Sequence, residues 1–211
     1  MSTHIVLMGA PGSGKGTFSQ TLLETKVYYH LSLGAILRKE IFDDTPLGQE
    51  IKPFVQTGKL IPFSLGVDLF KKHFEIASQS HRFVIVDGMV QNEAYAEFFK
   101  QFFLDKKVAY VFLKASREVC LNRLQTRKTC SSCFKVYSSN DQFCCDHPLE
   151  KRSDDSDSEA ARRRLDRFFD FGIKLLDIYK DFRFIEIDSD QPLEKLKPLY
   201  RSLFIDASKQ S

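Results

Sequence analysis

The chain has 211 residues, 43% of them hydrophobic and 28% charged, enough for one well-packed core with insertions and too few for two domains of typical size. Its 31 basic and 28 acidic residues leave a formal charge of +3, which is no footprint for a nucleic-acid partner, so any cationic site must be local. No apolar stretch approaches the ~20 residues of a membrane span, and Gly9 ends the N-terminal apolar run after four residues. A soluble, cytoplasmic, monomeric protein with reduced thiols is expected.

The first element is the β-rich run Thr3–Met8, expected as a strand. It leads straight into Gly9-Ala10-Pro11-Gly12-Ser13-Gly14-Lys15-Gly16-Thr17 and then into a helical pattern. A strand that ends in glycines before a helix leaves backbone N–H groups without partners, aimed into a concavity where a polyphosphate can sit. Gly12, Gly14 and Gly16 let the backbone approach phosphate oxygens, and Lys15 adds a mobile point charge for the outer phosphates. The spacing fits G-x-x-x-x-G-K, with Gly16 where a hydroxyl residue is usual and the hydroxyl moved to Thr17. Gly12, Ser13, Gly14, Lys15, Gly16 and Thr17 are therefore expected to hold a nucleoside triphosphate.

Further short apolar runs follow at Val27–Leu31, Arg82–Val86, Val108–Leu113 and Phe182–Ile187, alternating with helical patterns. That alternation predicts an α/β fold, a five-stranded parallel sheet flanked by helices. Two segments interrupt it. Residues 32–61 read as helical, with Pro46, Pro53 and Gly58 as breakers. Residues 129–155 hold four of the five cysteines among many Ser, Asn and Asp, and are too short to bury a core of their own. The expected division is a core of 1–31, 62–128 and 156–211, an insertion at 32–61 and a lid insertion at 129–155. The last ~8 residues are polar and expected to fray.

Several ordered motifs fall at fixed separations along nearly the whole chain. They are Gly14-Lys15-Gly16-Thr17, Gly58-Lys59-Leu60-Ile61-Pro62, Asp87-Gly88 after Phe83–Val86, Arg123 and Arg127 on one helix face, and Arg152-Ser153-Asp154-Asp155. Together they resemble adenylate kinase and its nucleoside monophosphate kinase relatives, whose loop, G-K-L-V-P turn, D-G-F-P-R strand end and R-x-D-D element stand in this order. The resemblance implies a P-loop kinase that moves the γ-phosphate of ATP, with Mg²⁺, to a nucleoside monophosphate. It implies that Lys15, Arg127, Arg152 and Arg163 surround the transferred group, that Arg123 lies across the ATP adenine, and that Asp87 holds the Mg²⁺ hydration shell. Asp154 and Asp155 would close the lid. Such chemistry needs in-line positioning and cations over the moving charge, with little covalent work from the protein. Arginines suit it because each grips phosphate as a planar fork. Arg163 is chosen by its offset from Arg152; Arg162, Arg164 and Arg167 read as a solvated helix face.

The lid is expected to hold a structural Zn²⁺. Cys130-x2-Cys133 and Cys144-x2-His147, ten residues apart, have the paired spacing of a tetrahedral site. Cys145 and Asp146 compete for the third and fourth positions. Cys120 stands alone and is expected to pack.

The acceptor half departs from the family. Its S-T-G-D-x-L-R reads Ser32-Leu33-Gly34-Ala35-Ile36-Leu37-Arg38, and its D-G-F-P-R-N-E-x-Q reads Asp87-Gly88-Met89-Val90-Gln91-Asn92-Glu93-Ala94-Tyr95. By resemblance Leu33, Arg38, Gly88, Gln91, Tyr95, Arg152 and Arg163 would line the monophosphate site. Gln91 then stands in place of an arginine for the AMP phosphate, and Tyr95, which could stack on a base, in place of a glutamine that reads adenine. An adenylate kinase with weakened AMP affinity leads. A same-fold kinase with another phosphate acceptor, or a nucleotide-binding paralogue with little turnover, stays open.

Overall fold

The computed structural model describes residues 3–80, 83–130, 132–133, 135–137, 143–152, 155 and 158–205. The first part of the chain forms β1 (His4–Gly9), α1 (Lys15–Leu23), β2 (Tyr28–Ser32), α2 (Leu33–Phe42) and α3 (Pro46–Gln56). Then come α4 (Phe63–Ser80), β3 (Phe83–Asp87), α5 (Glu93–Phe102), β4 (Val108–Lys114) and α6 (Arg117–Thr126). Four short strands follow: β5 (Lys128–Cys130), β6 (Val136–Tyr137), β7 (Phe143–Cys144) and β8 (His147–Glu150). The chain closes with α7 (Ser158–Tyr179), β9 (Phe184–Asp188) and α8 (Leu193–Phe204).

All five expected core strands are present, each displaced by no more than two residues, in one parallel sheet of order β2-β3-β1-β4-β9. Both faces of that sheet are covered, so β1 and β4 are buried almost throughout, as their unbroken Val/Ile/Leu/Phe runs require. On one face Phe70, Phe99, Phe103, Tyr110 and Tyr179 pack between α4, α5 and α7. On the other, α1 and α8 meet through Phe18 against Tyr200 and Phe204, with ring centroids 4.8 and 5.6 Å apart. The phenylalanine-rich composition is thus spent on core packing, much of it edge-to-face.

From β1 the chain runs to one side of the sheet, and from β3 it crosses to the other side as β4. A crevice therefore opens outside the carboxyl ends of β1 and β3, where parallel sheets place their ligands. The segment 32–61 is helical as expected, as α2 and α3; the Thr45 hydroxyl caps α3 by accepting from Gly48 N at 2.9 Å. The segment after Arg127 folds differently from the core, as an antiparallel sheet of order β6-β5-β8-β7. Its β7–β8 hairpin turns on two residues, Cys145 and Asp146, both left-handed at φ 52° and 60°.

Candidate active site

One cleft of about 1250 Å³ runs from the phosphate loop to the α2–α3 side. Its base is the turn from β1 into α1. Gly14, at φ 98°, caps α1 with a left-handed backbone that a side chain would strain, so the first N–H groups of the helix face the cleft. A Cβ on Gly12 would lie 2.5 Å from the carbonyl oxygen of Cys120, which fixes the loop against α6 and explains why Cys120 is buried. The half-buried Lys15 ammonium donates to the carbonyls of Gly9 and Ala10 at 2.7 and 2.9 Å. Burial pulls its pKa down to about 8, against the opposing pull of the Asp87 carboxylate.

Asp87 ends β3, with its Oδ2 3.0 Å from His30 Nε2. Burial alone would raise its pKa; the His30 hydrogen bond and charge, with Lys15 and Arg38, outweigh that and hold it below the usual carboxylate range. Its other oxygen, Oδ1, is buried without a hydrogen-bond partner among the described residues.

Three arginines converge on a single carboxylate. Arg127 grips Asp155 as a fork, Nε and Nη2 each donating at 2.8 Å. Arg164 donates to the same group at 3.4 Å and Arg152 lies 3.9 Å from it. The Asp155 side chain is wholly buried and Arg127 nearly so; desolvation pushes the Arg127 pKa down to about 10, with further lowering from Arg152. Arg123 donates from Nη2 to Ser189 O at 2.9 Å and lines the cleft nearby. Asp154 lies outside the described residues.

Arg163 is placed differently from its expectation. It is 43% exposed on α7 and pairs with Glu159 at 2.5 Å, one helical turn back, and it does not line the cleft. Arg164 and Arg167, read from the sequence as a solvated face, line the cleft instead. One residue along a helix rotates a side chain by about 100°, so an offset wrong by one aims the wrong arginine.

On the acceptor side Leu33, Arg38, Gly88, Gln91 and Tyr95 all line the same cleft. Gln91 donates its amide back to Gly88 O at 2.7 Å. Tyr95 is 2% exposed, with its ring edge-on to Phe63 at 4.9 Å, so little of it is open for stacking on a base. Its hydroxyl reaches α4, where a Cβ on Gly66 would lie 2.0 Å away. That Gly66–Phe63–Tyr95 arrangement was not evident from the sequence, since nothing in the spacing joins residues 66 and 95.

In the four-stranded sheet the thiols of Cys130, Cys133, Cys144 and Cys145 all lie within 4.8 Å of one another. The turn at 145–146 brings Cys145 into this group, with its Sγ 3.6 Å from that of Cys144. His147 is exposed in β8 and stands outside the group, which corrects its expected place as a ligand. The sheet rests on the phosphate-loop helix: Gln20 Nε2 donates to Val136 O at 3.3 Å, and a Cβ on Gly16 would meet Val136 at 3.4 Å.

A phosphate loop at a sheet switch point, facing arginines and a second set of anion-binding positions across one cleft, defines a nucleotide phosphotransferase. The model of the adenylate kinase family matches residues 7–183. An adenylate kinase of Chlamydia muridarum is 34% identical, the alignment covering 91% of this chain and 83% of the relative. One of Mycoplasma mobile is 31% identical, covering 94% and 96%, and one of Borrelia garinii 29%, covering 92% and 94%. The chain belongs to the adenylate kinase family. Among its described residues no helix is long and apolar enough to cross a membrane.

Proposed function

We propose that the cleft moves the γ-phosphate of ATP onto AMP, yielding two ADP. The observation that carries this reading is that one continuous cleft unites Lys15 and the Asp155-bound arginines with Arg38. An acceptor phosphate, with its second pKa near ~6, is already a dianion at neutral pH, so the reaction needs no protein base. What the protein must supply is alignment and positive charge. The loop N–H groups and Lys15 hold the β- and γ-phosphates, and Arg123 lies beside the donor's base. Arg127, Arg152 and Arg164 take up charge on the transferred group; Asp155 holds them in place and leaves fork positions for phosphate. Asp87, whose buried Oδ1 has no hydrogen-bond partner among the described residues, fits a Mg²⁺ hydration shell and would hold it, and the ion would supply positive charge to the transferred phosphate. The β6 strand lying on α1 covers the loop and keeps water from competing as acceptor.

The four thiols fit a structural zinc. Sulfurs 2.3 Å from one tetrahedral ion stand about 3.8 Å apart, close to the 3.5 Å of Cys133–Cys144 and the 3.6 Å of Cys144–Cys145. Four protein ligands leave no open position, so the metal would order this small sheet rather than take part in the reaction.

The test is ADP formation from ATP with AMP, CMP, UMP or GMP offered singly and in competition. AMP should give the highest kcat/KM. A clear preference for another acceptor, or ATP hydrolysis without transfer to any of them, would overturn the reading.

A further inference from the structure

Gln91 removes a cation from the acceptor side, yet a guanidinium enters the same cleft from the opposite wall. Arg167, on α7, lines the cleft together with Arg38, Lys59, Val90 and Gln91. It donates from Nη2 to the Gly58 carbonyl, a neutral partner, and makes no ion pair among the described residues. Burial and the neighbouring charge of Arg164 both disfavour its charged form, an environment that an arriving anion would relieve. Arg164, by contrast, is committed to Asp155.

The position is fixed from several sides. Gly58, at φ 68°, brings its turn so close to α7 that a Cβ there would lie 2.7 Å from Ala160 O. Further along α7, Lys174 reaches Glu93 at the start of α5, two residues after Gln91. Helix α7 therefore passes both the Gly58-Lys59 turn and the β3–α5 junction, the two walls between which an acceptor phosphate would lie beside Arg38. Gln91, with its amide turned to Gly88 O, offers that space at most a neutral donor.

We propose that Arg167 supplies the second guanidinium for the acceptor's phosphate, replacing from α7 the charge that Gln91 does not provide from the β3–α5 loop. This rests on the reading of the cleft as an AMP site. A planar fork held against one carbonyl keeps N–H donors for phosphate oxygens. The charge has moved to a different element while remaining in the same cleft.

The test compares AMP with adenosine, which lacks the phosphate, as ligands of the full chain by titration calorimetry, alongside steady-state kinetics. Arg167→Ala should raise Kd and KM for AMP by about ten- to a hundredfold, the usual worth of a charge-assisted contact. Affinity for adenosine and KM for ATP should stay within about twofold, and Arg167→Lys should keep part of the AMP affinity. Adding Gln91→Arg to Arg167→Ala should recover most of the loss, whereas Gln91→Arg alone should gain little. An unchanged AMP Kd in Arg167→Ala overturns the proposal. So does an equal loss for AMP and adenosine, which would mean that Arg167 merely pins the Gly58 turn. If thermal melting shows Arg167→Ala unfolded, the same ratios read on Arg167→Gln decide it. A wild-type chain that binds AMP but transfers no phosphate to it would sink the functional reading and still leave the AMP-to-adenosine comparison to decide Arg167.

Discussion

With its pKa held near 8, the Lys15 ammonium is partly neutral in mildly alkaline solution until a polyphosphate arrives. Phosphate oxygens beside it favour the charged form and raise that pKa, so ATP binding between about pH 8 and 9.5 should take up protons. Titration calorimetry in buffers of different ionisation enthalpy measures this directly. Uptake should approach one proton near pH 9, where free ATP is fully ionised, shrink below pH 7, and vanish in Lys15→Met. Equal proton uptake in Lys15→Met would place the titrating group elsewhere. The loop residues that do this were plain in the sequence, because a glycine string between strand and helix leaves few other uses for a buried lysine. Arg164 was not plain. It sits beside Arg162 and Arg163 in one charge run, and only the helix phase, with Asp155 as the common partner, separates it from its neighbours.

Helices α4 and α5 show how a substitution in the acceptor wall is accommodated. Tyr95 is larger than the glutamine of the family pattern, and it fits because Gly66 leaves room for its hydroxyl and Phe63 packs on its ring. Gly66→Ala should therefore lower stability in urea by about 1–3 kcal/mol, the cost of overpacking a filled site. Combining it with Tyr95→Gln should recover most of that loss, and additive effects in the double variant would refute the contact. The short strands raise the separate matter of metal. Treating purified protein with a strong chelator should release close to one zinc per chain and expose the segment 128–150 to proteolysis, leaving the parallel sheet intact by circular dichroism. Zinc well below one per chain before treatment would argue against the site. The five core strands were legible from their apolar runs, with ends shifted by at most two residues. The lid strands were not, since β6 and β7 are only two residues long and carry no periodicity. Cys145 was undecidable for the same reason: its place depends on a two-residue turn with φ positive at both positions, adopted here by Cys and Asp without the glycine that usually announces it.

At the scale of the molecule, three parts that the sequence keeps far apart meet around one cleft: the loop at the end of β1, the α2–α3 segment, and the sheet after α6 with the start of α7. Within the third of these parts Asp155 is the tie, a fully buried carboxylate that joins Arg127 at the end of α6, Arg152 at the end of the lid and Arg164 on α7. A buried carboxylate with three cations is stable only while those charges are balanced, and arriving phosphates change the balance. On the proposed reading, nucleotide binding and the placement of the lid would thereby be coupled. The outcome expected of that coupling is transfer in preference to hydrolysis, because the γ-phosphate would react in a space from which water is displaced. The most direct measurement is a single turnover with ATP labelled in its γ-phosphate, saturating AMP and excess enzyme. The label should appear in ADP newly made from AMP, with only a trace as inorganic phosphate. Label released mainly as inorganic phosphate, or retained in ATP while AMP stays unchanged, would contradict the account.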